Sequence, residues 1–209
     1  MAQAPVRRIY GPERMLAFSD GVIAVAMTLL VLDIRLPPMS GSVSDSQLAD
    51  ALAGILPNLG MYALSFVVVG SIWLAHHQKF SYIERVDRRL MQLNLLFLMS
   101  VGLVPFVTSL VSEYSNKVAT MAYAASMMTT LLLLAATGWY AARHPDLIAK
   151  TAPRDIGREL ILVPLLSAAV FAASIGVALL DSTAGRLMWV LTFPVTLFAA
   201  LKLPRMPDA

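Results

Sequence analysis

The stretch "RMLAFSDGVIAVAMTLLVLD", Arg14 to Asp33, decides the fold. A membrane-spanning helix needs about 20 predominantly apolar residues, and this run supplies them. It also carries Asp20, a turn and a half inside its start. A carboxylate in the bilayer core costs about 2.5–3.5 kcal/mol even on the gentlest insertion scales, so it needs a partner or a purpose. At about 100° per residue, with Val25 at zero, Leu29 and Leu32 fall within about 40° of Val25 and Thr28 lies about 60° away. Gly21 and Ala24 border the same line, and Asp20 points almost the opposite way. The helix therefore has two faces. One is an apolar line edged by small or hydroxyl residues. The other offers a carboxylate to whatever packs behind it.

The remainder of the chain sets this helix among others. The 209 residues are 58% hydrophobic and 14% charged, with a mean hydropathy of +0.71. Soluble domains have about 45–50% apolar and about 25% charged residues, so the composition is that of an integral membrane protein. Six apolar runs predict an all-α membrane protein with six transmembrane helices in one domain, residues 1–209, at about 15–32, 58–75, 90–111, 118–142, 160–180 and 187–201. Of the 16 lysines and arginines, all but Arg35, Lys117 and Arg186 fall on the side of the two termini. The positive-inside rule then places both termini in the cytoplasm. The N-terminus lacks the small-residue cleavage site of a signal peptide. In the long connection after the first span, Ser44 and Gln47 read as a capping box, starting a helix near Asp45. Pro57 is expected to kink that helix near the membrane boundary.

Polar residues at the cytoplasmic ends are candidate partners for Asp20. Arg14 and Ser19 sit on its own helix, His76 and His77 at the inner end of the second span, and Asn94 one turn into the third. The reading is a polar cluster of these residues tying the first helix to the second and third, as structural glue rather than as a reacting site. The histidine pair makes a poor metal site, because adjacent helical positions diverge by about 100° and no cysteine or second carboxylate lies near. No metal or other cofactor is expected. With no cysteines and three histidines in the chain, thiol catalysis is excluded and a histidine-based membrane enzyme is disfavoured. No feature points to nucleic acid. On periodicity alone, the Val25-Leu29-Leu32 line reads as packing or as a lining.

The motif Arg14-x-x-x-Phe18-Ser19-Asp20, with the apolar run after it, resembles the first helix of the transmembrane-protein-175 family. The later stretch "WLAHHQKFSYIERVDRRLMQLNLLFLMSVGLVPFVTSLVSEY" is similar to that family in its Trp before His-His, its Asn at the start of the third span and its Pro-Phe pair. The resemblance covers roughly residues 12–115. It implies a potassium-permeable channel of a bacterial plasma membrane, built as a homotetramer with the first helices around a central pore. It further implies a pore constriction at Val25, Leu29 and Leu32, a pore hydroxyl at Thr28, and a packing role for Arg14, Phe18, Ser19, Asp20 and the histidine region. Valine stands where the family often has isoleucine or leucine at the first constriction position.

No Thr-Val-Gly-Tyr-Gly segment occurs, so a carbonyl-ring filter is not expected. The physical alternative is a narrow apolar constriction. Ions must shed part of their water there, which favours potassium and other weakly hydrated monovalent cations. The rival reading is a small proton-coupled secondary transporter that uses Asp20.

Overall fold

The computed structural model describes residues 11–39, 41–153 and 156–195, which are helical apart from turns, short connections and isolated bridge contacts such as Ile83–Ile148. Helix α1 spans Glu13–Leu29, with Glu13 favourably placed in its first turn. A 3-10 turn over Leu30–Asp33 ends it. Helix α2 spans Asp45–Gly54 and opens on the expected reciprocal Ser44–Gln47 capping box. Pro57 does more than kink this helix. The chain breaks at Ile55, and a separate α3, Leu56–Ser81, begins with that proline in its first turn, where no N–H is needed.

Helix α4 spans Arg88–Gly102, and the carboxylate of Asp87 caps it by accepting from the Leu90 N–H. Pro105 has no N–H to continue the ladder. The span breaks at Leu103 and resumes as α5, Val104–Tyr114. Helix α6, Lys117–Ala142, is capped by Asn116. Helix α7, Ile156–Ala178, contains Pro164, and the short α8, Ser182–Leu187, is capped by Asp181. Among the described residues, five segments are long and apolar enough to cross a membrane: 13–33, 56–81, 88–114, 117–142 and 160–178. The expected sixth span, 187–201, falls within the described residues only as far as 195.

The main core joins α1, α3, α4, α5, α6 and α7. Ile23, Ala26 and Leu30 of α1 and its closing turn meet Val68, Val69 and Ile72 of α3, Phe97 and Val101 of α4, and Tyr123 and Met127 of α6. Helices α6 and α7 pack most extensively, and Gly138 permits it. A Cβ there would lie 2.8 Å from the Leu160 carbonyl oxygen. A second cluster sits at the basic end of the bundle. It gathers Phe80, Ile83, Val86, Leu90, Tyr140 and Leu147, with Met15 and Leu16 of α1 against it. The two basic-end connections are stitched together where Leu147 accepts from the Glu84 and Arg85 N–H groups, and the Ala149 N–H donates to Tyr82.

Lys79 departs from its sequence reading. It counted as a cation of the basic-end connection, yet it is 1% exposed. Its ammonium turns back into the bundle and donates to the Leu134 carbonyl and to Thr137 Oγ1, the latter at 3.2 Å. Helix α3 runs about a turn and a half further than the apolar run, which carries this side chain inside. Carbonyl and hydroxyl acceptors on α6 take the place of water, as a buried charge requires.

Candidate ion-conducting site

Helix α1 shows an asymmetry that comes directly from its sequence. Ser19, Ile23 and Ala26 are its buried residues, and Leu30 in the adjoining turn is 1% exposed. Together they form one stripe against α3, α4 and α5. The opposite stripe is uncovered. Val25 is 57% exposed, Leu29 42% and Leu32 61%. Thr28 is exposed among them, and its hydroxyl donates to the Val25 carbonyl at 2.8 Å. The 3-10 turn refines the wheel, because residues three apart eclipse in such a turn. Leu32 therefore stacks over Leu29 more closely than a uniform helix would allow. Gly21 and Ala24 are exposed on the same side.

Two separate polar contacts tie the buried side of α1 to the bundle. The first is a chain of hydrogen bonds. Asn94 Nδ2 donates to Ser19 Oγ at 2.9 Å, and Ser19 Oγ donates to the Met15 carbonyl at 2.8 Å. Asn94 Oδ1 lies 2.9 Å from His76 Nε2. The amide nitrogen is already the donor to Ser19, so the amide oxygen must accept. His76 is thereby fixed as the Nε2–H tautomer. Ser19, His76 and Asn94 are all essentially inaccessible to solvent. The imidazole lies between Phe80 and Phe97, stacked on the latter with centroids 5.2 Å apart. His76 Nδ1 has no partner among the described residues.

The second contact belongs to Asp20. Its Oδ1 accepts from Trp73 Nε1 at 2.8 Å, and the carboxylate is partly buried. His77 lies against the Trp73 ring with centroids 5.7 Å apart. The expected single cluster is thus two separate contacts, one through Trp73 and one through His76. Arg14 and Phe18 are exposed, and no described hydrogen bond or ion pair joins Arg14 to Asp20. Trp73 is the partner that residue chemistry alone did not single out. Its indole N–H is a strong donor within the stretch "SIWLAHHQKF", 53 residues from Asp20. It stands three residues before His76, which is the spacing of neighbours on one helical side.

No group of three or more potential metal ligands occurs among the described residues. A bundle of apolar helices held by buried hydroxyl, amide and indole contacts defines a helical integral membrane protein. Comparison with known proteins narrows this class. The sequence model of the family described as the endosomal/lysosomal potassium channel TMEM175 matches residues 14–105. A potassium channel of Chamaesiphon minutus is 35% identical over 158 residues, covering 74% of this chain and 76% of that protein. A potassium channel of Streptomyces collinus is 44% identical over 135 residues, covering 62% of this chain and 64% of that protein. The chicken endosomal/lysosomal proton channel TMEM175 is 39% identical over 110 residues, covering 50% of this chain and 22% of the larger protein. The crystal structure of a lysosomal potassium-selective channel TMEM175 homolog from Chamaesiphon minutus superposes with a TM-score of 0.76 at 27% identity, covering 90% of this chain and 97% of that one. The chain belongs to the TMEM175 family of ion channels.

Proposed function

We propose that the protein is a potassium-permeable cation channel whose conduction path runs between the α1 helices of four identical subunits. The observation that carries the reading is the uncovered stripe Val25, Thr28, Leu29 and Leu32, on a helix whose other side is packed and hydrogen-bonded to its own bundle. Copies of α1 brought together by closed symmetry would cover that stripe and leave a narrow apolar passage. Potassium loses less than sodium when it sheds water in such a passage, and the passage can close by dewetting. Its bacterial relatives carry the name potassium channel, which supports the permeant ion. The basic end of the bundle would face the cytoplasm, with both termini there, in a bacterial inner membrane.

Within this reading Asp20 holds the helix and does not line the passage, because its carboxylate is directed to Trp73. The second reading, a proton-coupled transporter, rests on the same carboxylate having an indole partner and no cation. Flux from purified protein in liposomes separates the two. Potassium-driven unitary currents that persist in Asp20→Asn support the channel. Saturable uptake that requires a proton gradient and vanishes in Asp20→Asn supports the transporter.

A further inference from the structure

We propose that a cleft at the end of the bundle opposite its basic connections binds the phosphodiester headgroup of a membrane phospholipid. The cleft has a volume of about 290 Å³ and is framed by the start of α3, the end of α5 and α8. Its chemistry is divided. Arg186, Ser115, Ser112 and Asn58 supply polar groups, while Met61, Leu64 and Val190 supply an apolar wall.

Arg186 is held in place but its charge is not answered. Nη1 donates to Ser115 Oγ at 3.0 Å and Nη2 to Thr183 Oγ1 at 3.3 Å. Both acceptors are neutral, and no described carboxylate pairs with the guanidinium. Further N–H donors of its fork remain unused. The backbone is committed to this arrangement. Ser115 is the one described non-glycine residue in the left-handed region, with φ of 35°, and it presents its hydroxyl to Arg186. Asn58 and Ser112 make no side-chain hydrogen bond among the described residues. The other cation at this end close in sequence to the cleft, Lys117, is occupied by the Leu179 carbonyl at 2.7 Å.

A fixed, unpaired guanidinium beside an apolar wall, where three helix ends meet the bilayer boundary, matches a phospholipid. The phosphate oxygens take the planar fork. Asn58 and Ser112 reach the ester oxygens, and an acyl chain runs along Met61, Leu64 and Val190. Inorganic phosphate could use the rim but gains nothing from the wall.

The test is native mass spectrometry of the delipidated protein in detergent, titrated with phosphatidylglycerol. Wild type should retain the lipid. Arg186→Gln should weaken binding about tenfold, the loss expected for one charge-assisted phosphate contact. Arg186→Lys should keep part of the affinity. Met61→Asn should weaken lipid binding and leave binding of inorganic phosphate alone. If Arg186→Gln is poorly folded, Ser112→Val and Met61→Asn read the same affinity from the rim and the wall. Equal retention by wild type and the folded variants would overturn the proposal. So would displacement of the lipid by millimolar inorganic phosphate. Efficient crosslinking between subunits through a cysteine at position 60 would also overturn it, because a second copy of the chain would then fill the cleft.

Discussion

Helices α1 and α6 have similar demands on a membrane but are covered very differently. The most apolar 18 residues of the α1 segment have a mean hydropathy of 2.2 and 22% of them are buried; for α6 the values are 1.7 and 50%. The more apolar helix is thus the less covered one. Helix α6 is the interior post of the subunit, wrapped by α4, α5 and α7. Helix α1 is attached along one stripe and bare along the other. Its bare stripe mixes Val25, Leu29 and Leu32 with Gly21, Ala24 and Thr28, and such small residues let helices approach closely in a membrane. The proposed meeting of four α1 helices assigns this mixture to contact between copies.

The largest effect expected from this contrast is on conduction. Val25→Asn puts amides at the narrow point proposed on α1. Potassium flux into liposomes should rise about tenfold, equivalent to lowering the barrier by about 1.4 kcal/mol, and the preference over sodium should fall. Leu132 on α6 is 43% exposed, and Leu132→Asn should leave flux unchanged. Equal effects from the two would break the comparison.

Next in size is the hydrogen-bond chain that attaches α1. Asn94→Ala removes the link between Ser19 and His76 and leaves both short of a partner inside the bundle. An unsatisfied buried group costs about 1–3 kcal/mol, so thermal unfolding should occur at clearly lower temperature. His77→Ala, which removes only a ring contact with Trp73, should shift unfolding far less. Asp20→Ala should fall between them, because it breaks one bond of a partly exposed carboxylate whereas Asn94→Ala leaves two buried groups short. This is smaller than loss of a fully buried ion pair, because the partner left behind is a neutral indole.

Gly138→Ala probes α6 by the same unfolding measurement. The added Cβ meets a backbone carbonyl at 2.8 Å, and overpacking of this kind costs about 1–3 kcal/mol. Unfolding should be affected and ion preference should not. The smallest effect is expected from Thr28→Ala. The Thr28 hydroxyl already donates to its own helix, so only its acceptor capacity is lost, and a change in flux of about twofold is expected.

These contrasts also mark what the sequence made legible. Asp20 could be read as facing away from Val25, because helical geometry is local. The Ser44–Gln47 box is local too and appears as expected. Pro57 starts a separate helix where only a kink was expected, and the break before Pro105 falls inside a run read as one span. Long-range partners were harder. Trp73 meets Asp20 across 53 residues, and nothing in residue chemistry alone ranked an indole above the nearby Arg14 as its partner. Lys79 looked like a loop cation because its apolar run ends earlier. Only the packing of α3 on α6 shows that the helix continues and that the Leu134 carbonyl and the Thr137 hydroxyl receive the ammonium.

The central claim is that the bare stripe of α1 meets its own copies. The chain has no cysteine, so a single engineered one reports cleanly. A disulfide forms only when two Cα atoms come within about 7 Å. Val25→Cys, oxidised in liposomes, should yield covalently linked subunits, whereas Leu132→Cys on α6 should yield none. Linked subunits through position 132, with position 25 remaining unlinked in protein that assembles, would contradict the account and place the conduction path elsewhere.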